Sequence, residues 1–285
     1  MSHTIRGLRS GDEEAIRRLV TDEGWNAGLH DVETFTAADP GAWLLAEVDG
    51  TVVGTTLATR WGPAFGWIGL YLVAPAFRGR GIGLDLFGRA LDRLAPGGVG
   101  LDGDARQQAN YRRSGFRDVH GNTRWQGPAA AWRGVSVPDG VALVEASAVP
   151  FEDLLALEAR GLPAARPALL RAWLDQPDLY ARAATRADDL VGFAAARPAR
   201  LGRKIAPVHA TDAGVAEALI AEVVAALPDD STCWLDVPDP NAASQAMMRA
   251  HGMRGVRTSG RMFRGWDGPG PDPSTMFAIL AHEVG

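Results

Sequence analysis

The chain has 285 residues, 46% of them apolar, a net charge of −5 and a single cysteine. Its pI near 5.7 gives no electrostatic reason to expect nucleic acid as a partner, and Cys233 alone permits neither an internal disulfide nor a cysteine-based metal site. No stretch approaches the roughly 18 uninterrupted apolar residues of a membrane helix, residues 1–6 carry no charged-then-apolar leader, and the histidines form no His-x-x-x-His pair, so a cytoplasmic protein without membrane partner or metal is expected.

Ser10 or Asp12 is positioned as a cap, with acids just after it, and helical spacing then predicts a first helix over 12–20. Residues 42–48 and 51–59 read as two strands about the turn Asp49-Gly50. Trp25, Trp43, Trp61 and Trp67 crowd this first quarter and are candidates for core or for a pocket wall. The apolar run 67–73 predicts a strand, which Pro75 ends by withholding a ladder donor. Beyond it Leu84, Leu86, Phe87, Ala90, Leu91 and Leu94 recur at helical spacing, which places Gly79, Gly81 and Gly83 at a helix N-terminus. Unpaired N–H groups and the positive end of the dipole meet there, glycines let a ligand approach the backbone, and Arg78 or Arg80 adds charge. A diphosphate suits that loop. The Gly-Lys-Ser/Thr ending of a Walker loop is absent, and Gly79-x-Gly81-x-Gly83 does not match the dinucleotide spacing Gly-x-Gly-x-x-Gly. A strand at 99–102, a helix over 104–114 and a final strand pair follow.

The chain then repeats itself. Val53-Gly54 matches Val191-Gly192 at an offset of 138, and the segment from Asp104 to Phe116 matches that from Asn241 to Met253, without a gap, at 137. The breaker-rich stretch 127–140 separates two expected units, 1–130 and 140–285. After a second run of breakers at 268–273, residues 276–280 predict a closing strand. The copies differ at the loop: the second passes through His209-Ala-Thr-Asp-Ala213 to Gly214 without a basic residue, and it carries Met248 where the first has Tyr111. One active unit, the first, is expected, with Asn241 as the reason to consider an adapted ligand site in the second.

The pattern Arg-x-x-Gly-x-Gly after Val-x-Pro resembles the acetyl-CoA loop of the GNAT superfamily of N-acetyltransferases. The resemblance implies an α/β fold of two GNAT-like domains, each a twisted mixed β-sheet flanked by helices, the second copy degenerate. It implies that Tyr71, Leu72 and Val73 pair with the pantetheine arm of acetyl-CoA, and that the pyrophosphate lies across Arg78, Gly79, Arg80, Gly81, Ile82, Gly83 and Leu84. The family's tyrosine maps to Tyr111, in Tyr-Arg-Arg-Ser-Gly-Phe116, as the general acid that returns a proton to the departing thiolate. Seven residues earlier, where the family usually has an asparagine, stands Asp104, with Asn110 as a substitute amide. An ammonium with a pKa of about 10 must lose a proton before attack, and Asp102 and Asp104 are candidates for that base, Asp104 equally for a helix cap. The implied activity is transfer of an acetyl group from acetyl-CoA to a small primary amine by direct attack in a ternary complex, with a pocket near residues 23–35. The alternative is a non-catalytic CoA-binding sensor or regulatory module.

Overall fold

The computed structural model describes residues 2–268 and 270–285. The first half runs β1 (Thr4–Gly7), α1 (Glu13–Asp22), α2 (Asp31–Ala38), β2 (Trp43–Val48), β3 (Thr51–Arg60), β4 (Phe65–Val73), α3 (Ile82–Leu94), β5 (Gly98–Asp104), α4 (Gln108–Arg113) and β6 (Arg117–Pro128). The second runs β7 (Val141–Glu145), α5 (Phe151–Ala159), α6 (Pro167–Leu174), β8 (Tyr180–Arg186), β9 (Asp189–Pro198), β10 (Arg203–Ala210), α7 (Ala213–Val224), β11 (Thr232–Pro238), α8 (Ala242–Ala250), β12 (Arg254–Arg264) and β13 (Met276–Ala278).

Asp49 and Gly50 both adopt positive φ, 48° and 76°, the turn geometry whose twist suits a two-residue hairpin between β2 and β3. Helix α3 buries Ile82, Leu86, Phe87, Ala90 and Leu94 on one stripe. Leu84 falls on the opposite side and is 75% exposed, so it does not belong to the apolar face that its spacing suggested.

All strands join one mixed sheet, ordered β1-β2-β3-β4-β5-β12-β6-β11-β10-β9-β8-β7, with β13 paired to β10. The two halves are interlaced: β12 of the second lies between β5 and β6 of the first, and β6 lies between β12 and β11. The expected final strand pair of the first half is therefore one long strand, β6, and its partner comes from the other copy. The chain does not turn at Gly121: His120, Gly121 and Asn122 each have a cross-strand partner on β12, and Asn122 pairs with β11 as well. The halves also share core. Trp173 of α6 is fully buried, stacks on Phe35 of α2 at 6.4 Å and donates its indole N–H to Ala206 O at 3.2 Å. Truncating a side chain of this size in such a core costs about 3–5 kcal/mol.

Two bulges open this sheet in equivalent places. On β4, Leu70 and Tyr71 together face Thr56 alone, and Leu70 takes φ +44°. An extra residue kinks its strand. The parallel pairing of β4 with β5 accordingly stops at Trp67↔Gly100. On β10 the register slips between Ile205 and Val208, and its parallel pairing with β11 stops at Lys204↔Trp234.

The two openings have different fates. In the second half β13 enters the gap, pairing Val208↔Ala278 with β10, while Ile279 N donates to Asp236 O of β11 at 2.9 Å. Asn241 secures it, donating its amide to Pro273 O at 3.1 Å and Met276 O at 3.0 Å, and Ser244 Oγ donates to Phe277 O at 2.8 Å. The following residues, 279–285, then cross to the first half. Trp67 Nε1 donates to His282 O at 3.0 Å, and Arg166 Nη1 donates to Val284 O and Gly285 O, both at 2.6 Å. A Cβ on Gly69 would stand 2.0 Å from Glu283 O, so only glycine at this point of β4 admits the segment. Gly69→Ala is expected to lower stability by about 1–3 kcal/mol, the usual range for overpacking, measured as a fall in the urea midpoint. An unchanged midpoint would mean that residues 279–285 do not pack on β4.

Candidate active site

Val73 leads through a single 3-10 turn, Pro75–Phe77, to Arg78 and the glycines. Gly79 and Gly81 have φ of +75° and +85°, the left-handed region that a side chain disfavours. Gly81 is the N-cap of α3 and brings no side chain to the first-turn N–H groups, which have no i−4 carbonyl of their own. At the equivalent place in the second half, Asp212 Oδ1 accepts from Val215 N at 2.9 Å. A carboxylate of the chain thus occupies the α7 N-terminus, whereas no side chain caps the α3 N-terminus. Gly83 makes room for Tyr71: a Cβ there would lie 2.7 Å from the phenol oxygen.

The arginines of the loop have separate tasks. Arg78 Nε donates to Val73 O at 2.7 Å and its Nη2 pairs with Glu23, so it ties the loop to the end of β4 and to the end of α1. Arg80 is exposed and lies over the Phe77 ring, 5.3 Å from its centroid.

A cavity of about 380 Å³ extends from this loop along the opened edge of β4. Arg78, Gly79 and Gly83 line it with Tyr71, Leu72 and Val73 of β4; Asp102 and Asp104 of β5 and Tyr111 of α4 form the facing side. Trp25 and Asn26 line it as well, from the segment expected to shape a pocket, whereas Trp43, Trp61 and Trp67 are buried in the core. The second half contributes Arg257 and Ser259 from β12, and His282 and Glu283 from residues 279–285. Glu283 packs at Gly69 and the loop begins past Val73, a separation of about 13 Å along a strand.

Tyr111 is held by aromatic contacts, with Phe87 at 5.7 Å and Phe116 at 6.2 Å, and Gly103 clears the space its ring needs. Burial, then the neighbouring Tyr71 and Asp104, raise its pKa, so the phenol remains protonated through the neutral range. Asn110 is exposed, its amide engaged with Gln107 and Arg113, and it does not line the cavity; Gln107 does. Asp104 caps the turn before α4, accepting from Arg106 N at 3.0 Å, and pairs with Arg106 Nε at 3.1 Å and Arg257 Nη2 at 2.6 Å.

Asp102 stands in an alternating chain of charges that crosses the seam between the halves. Arg261 reaches it through Nε at 3.0 Å and Nη2 at 2.9 Å, and Asn122 Nδ2 at 3.0 Å. His282 links it to Asp236, with Nδ1 3.2 Å from Asp102 Oδ2 and Nε2 3.1 Å from Asp236 Oδ1. Arg124 closes the far end with two bonds to Asp236, at 2.6 and 2.8 Å. Burial alone would raise the Asp102 pKa; the charge of Arg261 and the bonds from His282 and Arg261 outweigh it and hold the carboxyl well below the usual range. That corrects the expectation of Asp102 as a proton acceptor, because a fully buried anion bonded on both oxygens is a poor base near neutral pH. His282 responds oppositely. Burial would lower its pKa, but Asp236 and Asp102 raise it to about 9. The unfolded imidazole titrates near 6.5, so the native state binds this proton more tightly and its stabilisation is complete below pH 6.5. It is lost as the pH rises through 9, a decline of about 3 kcal/mol. Denaturation midpoints between pH 6.5 and 9.5 should show this fall, and His282→Gln should flatten it.

His282, Glu283, Arg257 and Ser259 carried no signal in the sequence. They lie far along the chain from the loop, and only the placement of β12 and β13 brings them to it.

A sheet split between two parallel strands, with an uncapped glycine loop at the head of the next helix and a phenol across the gap, is the scaffold of an acyltransferase. Residues 12–116 match the acetyltransferase (GNAT) family, and residues 154–278 match the acetyltransferase (GNAT) domain. The chain belongs to the GNAT acyltransferases as a tandem protein, two units in one polypeptide. Over 272 residues it is 26% identical to holothin acyltransferase of Pseudoalteromonas sp. (strain SANK 73390), covering 95% of this chain and 91% of that one. An acetyltransferase candidate from Pyrococcus horikoshii shares its fold with a TM-score of 0.81, 21% identity and coverage of 99% and 96%. A tandem GNAT protein from the clavulanic acid biosynthesis pathway aligns with a TM-score of 0.65 and 16% identity, covering 94% of this chain and 100% of that one.

Proposed function

We propose that the chain transfers an acetyl group from acetyl-CoA to the primary amine of a small molecule, by direct attack in a ternary complex within the β4/β5 cavity. One observation carries this reading: the uncapped α3 N-terminus, the free edge of β4 and a protonated phenol all face the same cavity. The first-turn amides after Gly81, with Gly79 and Gly83 beside them, hold the diphosphate. Tyr71, Leu72 and Val73 present backbone to the pantetheine arm as to an added strand. The thioester supplies the activated acyl group. The acceptor's ammonium first releases a proton to solvent, and the neutral nitrogen attacks the thioester carbonyl; Tyr111 donates its proton toward the sulfur as charge develops there and recovers one from the nitrogen as the amide forms, while Asp102 stays charged and fixes the position of His282. The name of the holothin relative supports a small-molecule acceptor.

Calorimetry with acetyl-CoA, followed by thiol release in the presence of an amine panel, tests the proposal. Tight binding with amine-dependent thiol release is expected. Binding without release from any amine would leave a CoA-responsive module, and no binding would remove the coenzyme from the cavity.

A further inference from the structure

Four carboxylates line the cavity, and three of them are engaged. Glu23 pairs with Arg78, Asp102 with Arg261 and His282, and Asp104 with Arg106 and Arg257. Glu283 is different. It is 8% exposed, yet among the described residues no hydrogen bond or ion pair reaches its carboxylate, and Oε2 is a buried acceptor without a partner. Leaving a buried charged acceptor unsatisfied is unfavourable unless a ligand completes it. Lys204, His282, Arg124 and Arg197 stand around it and outweigh burial, which acts to raise its pKa, so the group remains ionised.

On the reading that the cavity performs acyl transfer to an amine, we propose that Glu283 receives the protonated amine of the acceptor, and that acceptors are therefore amines cationic at neutral pH rather than weakly basic arylamines. The surrounding cations supply charge but, among the described residues, no hydrogen bond to this carboxylate; an ammonium entering the cavity offers the missing N–H donors together with a charge of its own. Glu283 is held against β4 at Gly69, between the anchors Trp67 Nε1→His282 O and Arg166 Nη1→Val284 O. Its placement begins further back, where β13 fills the second half's opened sheet. Asn241, at the position equivalent to Asp104, fastens β13 there. The second half thus uses its slot to clamp the segment that equips the first half's cavity, and Asn241 is a positioning residue for Glu283.

The test compares benzylamine, protonated at pH 7, with aniline, neutral at that pH, by thiol release from acetyl-CoA. The wild-type protein should prefer benzylamine. Glu283→Gln should raise the KM for benzylamine about 10- to 100-fold, the loss of one charge-assisted hydrogen bond, with the aniline KM and the acetyl-CoA Kd within about twofold. Glu283→Asp, which keeps the charge, should recover part of that loss. Asn241→Ala should raise the benzylamine KM severalfold at nearly constant kcat, whereas simple loss of folded protein would lower kcat and leave KM alone. Absence of acetyl-CoA binding in the wild type would overturn the acyltransferase reading itself. Coenzyme binding with equal use of the two amines, with use of neither, or with a benzylamine KM indifferent to Glu283→Gln would overturn the assignment of Glu283 alone.

Discussion

Tyr111→Phe is expected to lower acetyl transfer to an amine by about 10²-fold or more, the usual contribution of a positioned general acid. The acetyl-CoA Kd should stay within about twofold, since the ring remains and only a hydroxyl is removed. The contacts that seat the ring are aromatic, with Phe87 and Phe116, and the space over Gly103 is unaffected by the change. The fold does not need the hydroxyl, because the corresponding Met248 of the second half is fully buried and apolar. Steady-state kcat read beside calorimetric Kd separates chemistry from binding. If kcat is unaltered, the proton that reaches the sulfur comes from elsewhere.

Gly81→Asp should weaken acetyl-CoA binding by about 10²-fold, through loss of helix N-terminal amides to the new carboxylate and repulsion between two anions. The second half shows the geometry such a carboxylate would adopt: Asp212 caps α7, accepting from Val215 N. Aspartate is among the residues that tolerate positive φ, and it suits a helix N-terminus, so the folded state should lose little. Gly81→Ala is the control, carrying the φ strain of +85° without the charge, and its coenzyme affinity should fall far less. Equal Kd for the aspartate variant and the wild type, measured by calorimetry, would place the diphosphate away from the α3 N-terminus.

The parts of this protein legible in its sequence are those set by local spacing. Loop, helix and strand around Gly79, Gly81 and Gly83 follow from glycine placement and apolar periodicity within a few residues, and the internal repeat follows from a constant offset. Leu84 shows the limit of periodicity, because two apolar positions 200° apart on a helix cannot share a face. Arg78 shows the limit of motif reading, since its bonds to Glu23 and Val73 O depend on where α1 ends relative to β4. Asp102 had the right location for a base and the wrong surroundings, because Arg261 and His282 arrive from the other half.

By itself, then, the sequence determined that there are two GNAT units and that one alone keeps the anion loop, since both facts reside in contiguous residues and their spacing. The tertiary structure alone decided that β6 and β12 lie across the seam, that β13 fills the second opening, and that His282 and Glu283 enter the first. Those are choices among strand pairings distant in sequence. They are settled by which backbone edges the two bulges leave free, by the absence of a side chain at Gly69, and by the burial of opposite charges together, none of which a local pattern of residues expresses.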